Sequence, residues 1–223
     1  MSKKCFKLLV FDWDGTLIDS QGRIIASFQL AIADLGMEKR SSDQIRDIIG
    51  LGLEQAIATL FPQASLSQCV PLAERYRYHF LSTQLKWPTP LFVGVKETLH
   101  TLHRQGYWFA VATGKSRHGL EHALAETSMT HFFHTTRCAD ETASKPEPRM
   151  LQEIIEELGA LSTETLMIGD SKYDLQMANN AGISAVAVSY GVHNSTELSK
   201  YNPLILLNSL PDLITWLDQL SES

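Results

Sequence analysis

Short apolar runs recur at six places along the chain, at residues 6–11, 107–112, 132–136, 165–169, 185–189 and 204–207. Runs of this length that stop at glycine or at a polar residue are the pattern of strands buried on both faces of a parallel sheet. The run at 132–136 is the weakest of the six. Between the later runs the periodicity changes to that of helices. These span 94–106, 117–127, a segment opening at Lys145-Pro146 and closing at Gly159, a short one ending at Gly182, and 211–220. Pro146 suits the first turn of its helix. Strands alternating with helices predict an α/β fold, a doubly wound parallel sheet with right-handed crossovers.

Residues 19–87 break that alternation. Ile24, Ile25, Phe28, Ala31, Ile32 and Leu35 recur at helical spacing, and residues 41–43 offer an N-cap for a helix over 44–49. Gly50 and Gly52 interrupt it. A further apolar face runs through Leu53, Ile57, Leu60 and Phe61, and a longer helix is expected over 67–84, with Pro71 near its first turn and Tyr76, Tyr78 and Phe80 along it. No strand precedes the two glycines, so they read as a bend near the inner face of this block rather than a phosphate-cradling loop. The expected organisation is a core of residues 1–18 and 88–223, with 19–87 inserted after the first strand as an all-helical lid. Its hinges are expected near 18–20 and 86–90, where Pro88-Thr89-Pro90 is the return linker.

Composition narrows the partners. The chain has 223 residues, a net charge of −6 and no Lys/Arg cluster longer than a pair, which argues against duplex nucleic acid or an anionic membrane. No apolar run is long enough to span a bilayer. The first apolar run is broken by two aspartates, unlike a signal peptide, so a cytoplasmic protein is expected. Cys5, Cys69 and Cys138 are odd in number and widely spaced, and read as free thiols.

The chemistry sits where strands end. The first run closes on Asp12-Trp13-Asp14-Gly15-Thr16-Leu17, the second on Thr113-Gly114-Lys115 and the fourth on Asp170, with Asp174 four residues on; Lys145 lies between the last two. Each has an ordinary explanation alone: a turn or N-cap threonine, a solvated loop lysine, an Asx turn. Together, in the order Asp, Thr, Lys, Asp, they resemble the four motifs of the haloacid dehalogenase-like hydrolase superfamily, in particular its phosphoglycolate phosphatase-like branch. The resemblance extends over nearly the whole chain, including Asp19-Ser20 and the stretch 178–182. It implies Mg²⁺-dependent hydrolysis of a small phosphomonoester through an aspartyl-phosphate. Asp12 would be nucleophile and Asp14 general acid and base. Thr113, Gly114 and Lys145 would hold the phosphoryl group. Asp12, the main-chain carbonyl of Asp14 and Asp170 would hold the metal, with Asp174 behind them.

Two positions depart from the family pattern. Gly114 stands where members often carry asparagine, which leaves a phosphate contact to backbone N–H groups or Lys115. Trp13 is bulky for its place and is expected to shape the phosphate pocket. Arg46 is a candidate lid contact to substrate. His118 and His122, four apart without the glutamate of a zinc motif, read as a solvated face, and His131 and His134 as strand-edge residues. Within the superfamily, a dehalogenase would not use Asp14, and a phosphonate hydrolase would need a lid lysine better placed than Lys39 or Lys86. A sugar-phosphate mutase shares all four motifs and is the enzymatic alternative; a non-catalytic phosphate-binding or phosphoacceptor protein is the alternative of another class. The expected partner is a small phosphorylated metabolite, phosphoglycolate first and a short sugar or nucleoside phosphate otherwise, and the expected state a monomer or weak homodimer.

Overall fold

The computed structural model describes residues 6–83 and 86–222. Cys5 and the end of the expected helix at 84–85 lie outside the described residues. Six strands run parallel: β1 (Leu8–Phe11), β2 (Trp108–Thr113), β3 (Thr135–Cys138), β4 (Thr165–Gly169), β5 (Ser184–Val188) and β6 (Leu206–Leu207). Their order is β3-β2-β1-β4-β5-β6. The order reverses between β1 and β4, the kind of point where open parallel sheets receive ligands.

Alternation along the strands fills both faces. Leu9, Phe11, Phe109, Val111, Leu166 and Ile168 face a cluster shared with α5 (Val95–Arg104), α6 (Arg117–Thr127) and α10 (Asp212–Glu222). Leu8, Val10, Ala110, Ala112 and Met167 face a second cluster, with α7 (Arg149–Leu158), α8 (Lys172–Ala181) and α9 (Ser195–Leu198). Trp13 belongs to the first of these. It is fully buried, edge-on to Phe133 at 6.1 Å, and therefore packs the core instead of shaping a phosphate pocket.

Between β1 and α5 the regular elements among the described residues are all helices: α1 (Gln21–Asp34), α2 (Ser42–Asp47), α3 (Leu53–Leu60) and α4 (Leu66–Ser82). They enclose a third cluster built on Ile24, Phe28, Ile45, Ile57 and Leu72, which Tyr173 and Val192 join from the sheet side. A capping box from Ser41 and Gln44 starts α2. The chain leaves and re-enters the sheet region at neighbouring points, because Asp19 N–H donates to the Pro90 carbonyl at 2.8 Å. Asp47, at the end of α2, joins the helices to the β4–α8 side. Its carboxylate accepts from Lys172 Nζ at 2.6 Å and lies 3.2 Å from His193 Nε2, and its carbonyl accepts from the Tyr173 hydroxyl at 2.9 Å.

Three expectations are corrected. Residues 130–132 form a 3₁₀ turn, and the third strand starts later, at Thr135. The apolar Phe132 plugs the core from that turn, while the polar strand is held by Arg137, which reaches Glu153 and Glu157 on α7 at 3.0 and 2.6 Å. Lys145-Pro146 does not open a helix; α7 begins at Arg149, capped by Pro148. The last strand shrinks to two residues. Among the described residues no helix is long and apolar enough to cross a membrane, and Cys69 and Cys138 are free.

The helical cluster is a stabilising core in its own right. Ile57 is 1% exposed within it, so Ile57→Ala is expected to lower unfolding free energy by about 2–5 kcal/mol. Leu66, at 82% exposed on α4, should change it by less than about 0.5 kcal/mol when truncated. Urea denaturation of the two variants checks the contrast.

Candidate active site

Register brings the strand-end residues together. Phe11 pairs with Val111 on one side and Ile168 on the other, so Asp12, Thr113 and Asp170 emerge within two positions of each other at one edge. The Asp12 N–H extends the ladder to the Ile168 carbonyl at 2.9 Å. Lys145 reaches in from its loop. Its Nζ lies 2.6 Å from Asp12 Oδ1 and 2.6 Å from Asp174 Oδ1. The lysine and all three of Asp12, Asp170 and Asp174 are at most 1% exposed.

Each carboxylate is held differently. Asp174 is saturated: Oδ1 takes the lysine, and Oδ2 accepts from the Ser171 N–H and hydroxyl at 3.0 and 2.7 Å. Asp170 accepts from the Thr16 hydroxyl at 2.7 Å and the Val192 N–H at 2.8 Å. Gly15, in a left-handed conformation at φ +85°, leaves room for it, since a Cβ there would fall 2.2 Å from Asp170 Oδ2. Asp12 Oδ2 is buried without any hydrogen-bond partner.

Burial raises the pKa of Asp12 well above the usual carboxylate range, with Asp174 and Asp170 adding to it against the pull of Lys145. Asp170 is pushed up to about 7 by burial and by Asp174. Burial disfavours the charge on Lys145, but Asp12 and Asp174 outweigh it and raise its pKa. Ligand oxygens of Asp12, Asp170 and Asp174 lie within 4.8 Å of one another. Three hard oxygen donors around one orphaned carboxylate oxygen suit a divalent cation such as Mg²⁺.

Asp14 is nearly buried, and its Oδ1 accepts from the Ser20 hydroxyl at 2.5 Å and pairs with Lys115 Nζ at 3.0 Å. Thr113 is fully buried at the end of β2, where its hydroxyl accepts from the Lys115 N–H at 3.2 Å. Gly114 has no room for a side chain. A Cβ would lie 2.4 Å from the Leu51 carbonyl oxygen and 2.7 Å from that of Gly50. The segment at 50–51 therefore occupies the space that a side chain at 114 would fill. Arg46 is not brought to the site: it pairs with Asp43 on its own helix and does not line the cavity beside Asp12. His122 pairs with Glu126 at 3.2 Å, whereas His118 stands at the cavity rim.

That cavity, of about 240 Å³, has Asp12, Asp14, Gly114 and Lys115 at its base and Ile24, Phe28, Ile49, Leu53, Tyr76 and Phe80 among its walls. The aromatic members were visible in the sequence only as helix residues. Tyr76 and Phe80 are one turn apart on α4, but no motif marks which face of that helix meets the site.

Residues 9–188 match the family described as haloacid dehalogenase-like hydrolase. The chain belongs to the haloacid dehalogenase-like hydrolases. Among curated relatives, the "probable phosphatase IndB" of Dickeya dadantii is 33% identical over 93% of this chain and 91% of that protein. A phosphoglycolate phosphatase of Vibrio parahaemolyticus is 30% identical over 96% and 97% of the two chains. The crystal structure of a hydrolase from Pseudomonas syringae superposes with a TM-score of 0.87 at 22% identity, over 96% and 98%, and bears on the fold alone. This hydrolase thus carries a charge cluster, a facing acid and a half-open cavity at one sheet edge.

The raised pKa of Asp170 has a consequence for stability. The folded protein keeps this proton up to about pH 7, whereas an unfolded chain releases it near the ordinary value of 3.8. Folding therefore takes up a proton between those values, and the contribution of this group to stability falls as pH rises through that window. Asp170→Asn removes the part that belongs to this group and leaves that of Asp12, which burial also raises. In EDTA, the melting temperature of the variant relative to the wild type should climb from pH 5 to pH 8. A flat difference would show that burial does not hold the carboxyl protonated.

Proposed function

We propose that the protein is a Mg²⁺-dependent phosphatase that transfers a phosphoryl group from a small phosphomonoester to Asp12 and then to water. The observation that carries this reading is Asp12 itself. One of its oxygens is fixed by Lys145, and the other is buried without a partner in a group of three carboxylates beside a cavity. Its curated relatives named as phosphatases support the reaction class.

In the first step Asp12 Oδ2 attacks phosphorus, the bond from phosphorus to the ester oxygen breaks, and Asp14 gives that oxygen a proton. In the second, water attacks the phosphorus of the aspartyl-phosphate, gives a proton to Asp14, and releases Asp12 and inorganic phosphate. Asp14 is suited to both roles because Ser20 and Lys115 orient it through Oδ1 while it lines the cavity. Lys145 offsets charge on the nucleophile and the transferring group, and Thr113 with the N–H groups that follow it hydrogen-bonds the phosphoryl oxygens. Asp174 keeps Lys145 in place. Asp12, Asp170 and the main-chain carbonyl of Asp14 would hold Mg²⁺. Bound there, the ion neutralises the facing anions and polarises the phosphoryl group.

Residues 19–87 act in this reading as a lid over a core of 1–18 and 88–223, excluding water from the base of the cavity. Support comes from the separate apolar cluster of α1–α4 and from the adjacent crossings at Asp19 and Pro90.

Asp12→Asn preserves size and removes the nucleophile. Phosphate release from a phosphomonoester should fall at least about 10³-fold. Excess EDTA should abolish wild-type turnover and added Mg²⁺ restore it. Wild-type rates in purified Asp12→Asn protein, or full activity in chelator, would overturn the mechanism.

A further inference from the structure

Resting on the phosphatase reading above, we propose that the cavity selects phosphomonoesters whose leaving alcohol carries a flat, uncharged aromatic body, and discriminates against a second anionic group such as the carboxylate of phosphoglycolate. The phosphoryl chemistry uses only the base of the cavity. The space above it is lined mainly by apolar and aromatic side chains of the helical segment. Phe28, Tyr76 and Phe80 form a continuous aromatic surface there, with ring centroids 4.3 Å apart for the first pair and 5.9 Å for the second. Phe80 is braced from outside the cavity by Arg23, whose guanidinium lies 4.1 Å from the ring centroid and whose Nε donates to the Phe80 carbonyl at 2.6 Å. Lys115 Nζ also lies over the Phe80 ring, 4.8 Å from its centroid, and a planar ring entering from the rim can stack against the aromatic surface beside that ammonium.

Charge points the same way. The two lining side chains with a permanent positive charge are both engaged: Lys115 with Asp14 at 3.0 Å, and Arg77 with Glu54 at 2.8 Å. Glu54 offsets the charge of Arg77, and Asp140 at the exposed rim joins Asp12 and Asp14 in leaving the lining negative overall. A substrate carboxylate beyond the phosphate would face these acids, and drawing Lys115 to itself would strip Asp14 of its cation. Sugar hydroxyls meet few side-chain partners: no asparagine or glutamine is among the described residues lining the cavity, and the polar side chains Tyr76, Ser116 and His118 are outnumbered by apolar ones.

The test compares kcat/KM for benzyl phosphate, phosphoglycolate and ribose 5-phosphate in Mg²⁺, reading free phosphate. Benzyl phosphate leaves as an aliphatic alcohol like the other two, so the comparison reports recognition rather than leaving-group strength. Benzyl phosphate should lead by roughly tenfold or more, the size expected of aromatic stacking with apolar burial. Phe80→Ala should raise KM for benzyl phosphate more than it lowers kcat, and should narrow the lead. Phosphoglycolate equal to or better than benzyl phosphate, or a lead unchanged in Phe80→Ala, overturns the inference and leaves the phosphatase reading standing. Phosphate release from none of the three overturns both.

Discussion

One electrostatic constraint governs the architecture: three buried carboxylates share a single buried ammonium. Such a group is strongly unfavourable unless nearly every polar atom is held. The surrounding structure supplies those partners one by one. Thr16 and Val192 serve Asp170, Ser171 serves Asp174 twice, and Lys145 spans Asp12 and Asp174. Three carboxylates against one ammonium leave two negative charges in excess, and Asp12, which lines the cavity, keeps one oxygen without a partner. The excess charge is thus stored potential for binding a cation, kept from collapsing by a rigid sheet.

That rigidity comes from topology. β1 and β4 are neighbours in space although more than 150 residues apart in sequence, and they end together where the strand order reverses. Both faces of β1 are sealed by apolar clusters, so neither Asp12 nor Asp170 can relax without disturbing packed strands. The helical segment meets this edge from above through Asp47, Tyr173 and Val192. Its apolar cluster is distinct from the two that flank the sheet, and only Tyr173 and Val192 join it from the sheet side.

Much of this was legible in the residues. The strand-end positions of Asp12, Thr113 and Asp170 follow from apolar runs that stop abruptly, and the helical character of 19–87 from spacing alone. Lys145 was legible as a residue but not as a loop residue, because Pro146 mimics a helix start and only tertiary contact shows the chain turning to bury the amine. Phe132 and Phe133 misled for a related reason: an apolar pair plugging a core from a turn has the composition of a strand. Arg46 has the right chemistry on the wrong face, settled by its partner Asp43. The aromatic wall was beyond reach, since which face of α4 meets the cavity depends on how the helices pack against the sheet edge.

Gly114 ties the history of two distant segments together. Its missing side chain is occupied by the carbonyls of Gly50 and Leu51. Neither partner can drift alone: with the loop seated as it is no side chain fits at 114, and a larger residue there would need the carbonyls of 50 and 51 to sit farther out. Substitutions at 114 and at 50–52 should therefore appear as correlated changes across the lineage. A phosphate contact through a side chain amide and a tightly seated loop would be alternative solutions that descendants of one ancestor could not combine.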